Sequence, residues 1–193
     1  MAELLECVDV LESIGISCEA LSAVGGVNKR IWITQKQQID SYTLDADGYV
    51  DTLTMATDGS SNAYKLQRFI GKKNTHSGTI EGVVGDNVNL ITHNSLLKVF
   101  CDTPAKRVAL EAYINADELV VFFETEQGKI EIYGLDKGLE MSALTGGTGV
   151  ALQDDTGYLL TLSGQQRTLP NFMLVSGTLA STIAYLDNLS ETI

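Results

Sequence analysis

The sequence predicts a mainly β fold, a sandwich or a barrel with one α-helix packed against it. At least eight short runs of β-branched and aromatic residues are separated by glycine, asparagine and aspartate, and only one internal segment carries clear helix signals. Strands and helices do not alternate along the chain, so the pattern does not indicate a parallel α/β sheet.

The domain boundaries follow from where these runs begin and end. Residues 1–24 are predicted to form an N-terminal arm or helix: Leu4, Val8 and Leu11 stand near helical spacing, but the same stretch also alternates as a strand would. Residues 25–175 are predicted to form a single β-rich domain, and residues 176–193 a C-terminal helix or arm.

The first half of the domain predicts a strand and a β-hairpin. NKRIWIT (28–34) is typical of a strand and holds the only tryptophan, and two β-rich runs within 39–55 flank Asp45, Asp47 and Gly48. Aspartate bonds to its own backbone and glycine accepts positive φ, so these residues favour a hairpin turn. We expect this turn to be a contact with a neighbouring subunit. A calcium loop is disfavoured because the twelfth position, where a glutamate ligand belongs, is Ala56.

The clearest helix is DTPAKRVALEAYIN (102–115). Thr103 is suited to cap it and Pro104 to its first position. Its apolar residues cover much of the circumference, so we expect it to pack against a sheet on one side and a neighbour on another. A second hairpin is predicted over 118–135, where Gly128 is placed for positive φ.

The densest glycine cluster comprises Gly146, Gly147 and Gly149. A phosphate-binding loop needs a helix directly after it, yet the turn signal at 154–157 leaves no room for one, and no lysine follows Gly149. The cluster therefore predicts a loop between strands that orders against a neighbouring subunit. Beyond it, Tyr158, Leu160 and Leu162 alternate with other residues in the pattern of a half-buried strand.

The tail, SGTLASTIAYLDNLS (176–190), spaces apolar residues at helical intervals and predicts the short C-terminal helix or arm. Upstream, Lys72 and Lys73 form the single basic cluster with Arg68. This cluster is either a solvated loop tip or a contact with an acidic patch on a neighbouring copy.

The chemistry-bearing residues are sparse. His76 and His93 are the only histidines and lack metal-ligand spacing, and the three cysteines cannot all pair within one chain. No nucleophile motif is present. We therefore expect no catalytic residue, no bound cofactor or metal and no enzymatic activity. With acids in the first residues and no long apolar run, a secretory signal and a membrane partner are not expected either.

The net charge of −12 is concentrated at the two ends of the chain. Residues 1–28 carry five acids and no bases, and residues 108–193 carry twelve acids and three bases. Because nucleic-acid affinity comes largely from Lys and Arg, tight DNA or RNA binding is disfavoured. The inner surface of a channel through which DNA passes without binding would be expected to carry the same negative charge.

Taken together, GGVNKRIWIT, IDSYTLDADGYVDTLTM, TPAKRVALEAYI and VVFFETEQGKIEIYGLDKGLEMSALTGG resemble the tail tube and tail-associated virion proteins of tailed bacteriophages. The likeness is greatest to those of Bacteroidota phages and prophages, and it covers roughly residues 25–165.

This resemblance implies a sandwich or barrel whose copies form a ring, often six-fold, and whose rings stack into a tube. It implies self-association and contacts with other tail or neck proteins, with DNA only as passing cargo. The expected location is the virion, assembled in the cytoplasm of the host bacterium. The alternatives are a neck, ring or tail-completion protein that forms a single ring, and a β-rich binding module.

Overall fold

The protein is mainly β, with two sheets and two α-helices in the part described by this computed structural model, residues 27–60, 62–70, 75–84, 89–99, 104–147 and 157–192. The first six strands are β1 (Val27–Gln35), β2 (Ile39–Leu44), β3 (Val50–Met55), β4 (Leu66–Ile70), β5 (Ser77–Val84) and β6 (Asn89–Val99). The others are β7 (Leu119–Thr125), β8 (Ile130–Tyr133), β9 (Glu140–Gly147), β10 (Gly157–Gln166), β11 (Asn171–Met173) and β12 (Ser190–Thr192). The α-helices are α1 (Pro104–Ile114) and α2 (Leu179–Asn188), and a 3-10 turn covers Lys36–Gln38.

The predicted hairpins and the internal helix are confirmed. β2 pairs antiparallel with β3, and β7 with β8, around turns in which Gly48 and Gly128 have φ of +86° and +75°. Helix α1 begins at Pro104, as expected, while its predicted cap, Thr103, lies outside the described residues. The N-terminal segment 1–24 lies outside them as well.

The strands divide into an eight-stranded sheet, ordered β12-β4-β1-β7-β8-β11-β3-β2, and a four-stranded sheet, ordered β5-β6-β10-β9. In the larger sheet the central strand β7 has six consecutive buried residues, Leu119 to Glu124. A strand of this kind is covered on both faces. The larger sheet therefore forms the middle layer.

One core cluster lies between the two sheets. Ile31, Val121 and Phe123 of the larger sheet pack in one cluster with Leu97 and Leu160 of the smaller sheet. Helix α1 contributes to this core cluster along one narrow side only. Leu110 on that side is buried, whereas Val108 is 66% exposed. The helix thus packs on one side, and its other side faces solvent in the single chain.

The second core cluster lies on the opposite face of the larger sheet and is covered by α2. Trp32 and Phe122, both fully buried, pack there with Leu186 of the helix. The indole Nε1 of Trp32 donates to Oδ1 of Asp187 at 3.1 Å, and Arg68 pairs with the other carboxylate oxygen at 3.0 Å. The tail is therefore part of the core and not an arm.

Strand β12 extends this attachment. It pairs in parallel with β4 at the edge of the larger sheet, matching Ser190 with Leu66. The sequence indicated a helix here but no strand after it, because a three-residue strand has too few residues to show alternation. Both α2 and β12 join the fold whose boundary the sequence placed at residue 175.

Candidate functional site

The four-stranded sheet ends in two edge strands, β5 and β9, that pair on one side only within the described part of the chain. Natural sheets protect such edges with charged side chains, above all lysine, with proline, with a β-bulge or with a covering element. Neither SGTIEGVV nor EMSALTGG contains a lysine, an arginine or a proline. Within the described part of the chain, both edges therefore expose backbone donors and acceptors to which another strand could add.

Strand β9 is the more accessible of the two. All of its residues are exposed except the half-buried Met141. Ser142 is an extra residue in its pairing with β10 and donates its hydroxyl to the carbonyl of Thr161 at 3.0 Å. Beyond this bulge Ala143 to Gly147 pair in unbroken register, so the exposed half of the strand is regular.

The outer face of the four-stranded sheet, opposite its core, is rich in hydroxyl and amide groups. In β6 and β10 it includes Asn94 and Ser163, whose side chains bond to each other at 2.7 Å across the strands. By the alternation of the paired strands the same face carries these described side chains: Ser77, Thr79, Glu81, Leu90, Thr92, Asn94, Leu96, Lys98, Glu140, Ala143, Thr145, Leu159, Thr161, Ser163 and Gln165. Two acids and one base give this face a small negative charge.

The hairpin β2–β3 is a second exposed feature. Between Ile39 and Met55 the chain has four aspartates and no base. Its edge strand β2 is exposed at every position after Ile39, and Tyr42 and Leu44 are 44% and 53% exposed. The hairpin thus combines negative charge with uncovered apolar side chains.

The predicted contact residues Asp45, Asp47 and Gly48 form the tip of this hairpin. Oδ1 of Asp45 accepts the backbone N–H groups of Asp47 and Tyr49, each at 2.9 Å. Because Asp45 folds back on its own backbone, the tip has a defined shape. Its aspartates are exposed side by side, where another surface could meet them.

The glycine cluster differs from expectation. Gly146 and Gly147 lie in strand β9, paired with Tyr158 and Gly157, and not in a loop. A Cβ at Gly146 would lie 2.6 Å from Cδ1 of Tyr158, so glycine here makes room for the tyrosine ring across the strands. Gly149, Lys72 and Lys73 lie outside the described residues, and Arg68 of the predicted basic cluster pairs with Asp187.

The two sheets are joined by a polar junction at Gly134 to Gly138, which leads from β8 to β9. The fully buried Gln166 accepts the N–H of Lys137 at 2.8 Å and donates to the carbonyl of Gly138 at 2.7 Å. His93 lies within hydrogen-bonding distance of the carbonyl of Thr168, at 2.9 Å. These bonds connect the backbone of Lys137, Gly138 and Thr168 to side chains of the four-stranded sheet.

Both histidines lie in the core and not at the surface. His76 is 4% exposed, its Nδ1 accepts the N–H of Lys98 at 3.1 Å, and its Nε2 has no partner in the described part of the chain. Burial lowers the pKa of His76 to about 4. Burial also lowers the pKa of His93, against the opposing effect of its bond to Thr168. Both side chains are therefore neutral at pH 7.

Acidification is expected to destabilise the fold as the pH falls from 6.5 to about 4. In the unfolded chain His76 takes up its proton near pH 6.5, whereas the folded protein resists protonation until about pH 4. Stability is therefore full above pH 6.5 and falls by up to about 3 kcal/mol at the lower limit. Urea unfolding at a series of pH values measures the loss.

The variant His76→Gln, which has no ionisable group at this position, is expected to show a shallower loss over the same pH range. Equal slopes for the variant and the parent protein would contradict the assignment to His76.

Comparison of the chain with protein-family models, curated proteins and solved structures gives no match. Within the described residues, no three His, Cys, Asp or Glu side chains are grouped so that they could hold a metal ion. No helix in that same part of the chain has the length and apolar character needed to cross a membrane.

Proposed function

We propose that the protein is a structural virion subunit that joins edge to edge into a closed ring, and that its rings stack into a bacteriophage tail tube. In this proposal the chain has a structural and not a catalytic role, and its fold is a β-sandwich in which α2 flanks the larger sheet. The observation that carries the proposal is the four-stranded sheet, whose two edge strands pair on one side only within the described residues and contain no lysine, arginine or proline.

The direction of the strands supports joining of β9 to β5. Each neighbouring pair in the sheet is antiparallel, from β5 through β6 and β10 to β9, so β9 runs opposite to β5. If the axis of the ring is parallel to the strands, the rotation that relates one copy to the next leaves the direction of every strand unchanged. The next copy's β5 would therefore add to β9 in antiparallel fashion and continue the sheet without a change of pattern.

The outer face of the sheet suits the inside of such a ring. It carries mostly uncharged hydroxyl and amide groups with Glu81, Glu140 and Lys98 as its charged residues. With few cations to neutralise phosphates, such a wall would hold DNA weakly and let it pass. The acidic hairpin β2–β3, with Tyr42 and Leu44 exposed, would contact the next ring.

The test is the size and shape of the purified protein at rising concentration, measured by light scattering and negative-stain electron microscopy. Stacked rings are the expected result. Single rings that never stack would favour a neck or tail-completion protein. A particle that stays monomeric at the highest concentration would contradict both ring proposals and favour a β-rich binding module.

A further inference from the structure

A cavity of about 640 Å³ opens between the turn after β1, the loop that joins β3 to β4, and the C-terminal half of α1. This volume lies within the range of about 300–1,000 Å³ that is usual for ligand clefts. None of the lining residues that the structure describes belongs to the four-stranded sheet. The cavity is therefore distinct from the surfaces assigned to ring assembly.

Hydrogen bonds hold the walls of the cavity in place. Thr34, 2% exposed, donates its hydroxyl to Oε1 of Gln38 at 2.8 Å. On the opposite wall Oδ1 of Asp58 accepts the N–H groups of Ser60 and Asn62 at 2.8 and 2.9 Å. A cleft built in this way loses little conformational freedom when a ligand binds.

Several polar groups of the lining have no hydrogen-bond partner among the residues that the structure describes. Four side-chain groups make no hydrogen bond within the described part of the chain: the nitrogen of Gln38, the side-chain amide of Gln67 and the hydroxyls of Tyr64 and Tyr113. Amides and hydroxyls can each donate and accept. Burial raises the pKa of Tyr113, so its hydroxyl stays protonated and retains both roles.

The charged and aromatic side chains of the lining indicate which class of ligand the cleft could bind. Among the lining residues that the structure describes, Asp58 and Lys65 are the only charged ones, and their charges cancel. Backbone hydrogen bonds from Asn62 and Ser60 lower the pKa of Asp58, which therefore stays ionised and would oppose a phosphate. Tyr64 is 39% exposed and offers a flat apolar face beside these polar groups.

We propose that this cleft binds a carbohydrate, with the ring of Tyr64 against the apolar face of a sugar and the side chains of Gln38, Gln67 and Asp58 bonded to its hydroxyls. A pyranose has both properties that the lining matches: hydroxyls that donate and accept, and a face of C–H groups. The binding needs one chain only, so it does not depend on ring assembly.

The test is saturation-transfer NMR and calorimetric titration of the full chain with glucose, galactose, N-acetylglucosamine and their β-1,4-linked dimers. AMP and triglycine serve as probes of the competing ligand classes. At least one saccharide is expected to bind saturably. The variants Tyr64→Ala and Gln67→Ala should each weaken that binding about tenfold or more.

The matched control is Tyr42→Ala, because Tyr42 is 44% exposed, close to the value for Tyr64, but lies on β2 away from the cleft. Its affinity should equal that of the parent protein. The proposal is overturned if none of the saccharides binds, if only AMP or triglycine binds, or if the Tyr42 and Tyr64 variants bind equally well. Circular dichroism of each variant establishes that it is folded.

Discussion

Placing lysines at both Ala143 and Thr145 is expected to abolish assembly while leaving the single chain folded. Both residues are exposed on β9, so the longer side chains do not disturb the core. If another strand joined this edge, the aliphatic part of each lysine would pack against that strand. The two ammonium groups would then be partly desolvated. Lysines on edge strands protect natural sheets from adding further strands in this way. Light scattering should detect only the monomer at concentrations at which the parent protein assembles.

The matched control places the same two charges on β10, the strand next to β9 inside the sheet. Thr161 and Leu159 pair directly with Ala143 and Thr145 across β10 and β9. The variant Leu159→Lys with Thr161→Lys adds equal charge to the same face, but β10 already has a partner on both sides. It should still assemble. If the two double variants assemble equally well, β9 is not the joining edge, whatever the oligomer of the parent protein.

Replacing Gly138 with alanine is expected to cost about 4 kcal/mol or more, a large part of the roughly 5–15 kcal/mol by which native proteins are stable. Gly138 has φ of +75°, and a Cβ there would overlap the backbone of Glu118. Its carbonyl is also within 2.5 Å of the position that a Cβ on Gly164 would occupy. The chain crosses between the sheets at this point, so the backbone on either side has little room to move. Chemical denaturation, or the yield of folded protein, measures the effect.

Gly177→Ala is the control for this prediction. Gly177 has nearly the same conformation, with φ of +71°, but a Cβ there would have no atom within 4 Å. This variant isolates the cost of positive φ, about 1–2 kcal/mol. Similar losses of stability in the two variants would show that crowding at Gly138 contributes little.

Local signals in the sequence predicted several elements because their causes are local. The β2–β3 turn depends on Asp45, which bonds to N–H groups two and four residues ahead, and on the positive φ of Gly48. Helix α1 begins at a proline, which is suited to the first position. In β10, Leu160 and Leu162 are buried as the alternation predicts.

The candidate sites were harder to predict. Gly146 and Gly147 indicated a loop because glycine is common in loops, and pairing with a distant strand overrides that preference. The cleft joins Gln38, Tyr64 and Tyr113, which lie in three separate segments and form no motif. The absence of lysine, arginine and proline from β5 and β9 was visible in the sequence, but without the sheet order nothing marked them as edges.

The sequence by itself determined the mainly β character, the two hairpins, the internal helix and the acidic charge, since each depends on residue type and on neighbours a few positions away. Only the tertiary structure decided which strands lie at the edges and how the tail attaches. Trp32 and Asp187 are 155 residues apart, yet they share a hydrogen bond beneath α2. Contacts of this separation arise from the burial of apolar surface by the whole chain, which no local pattern specifies.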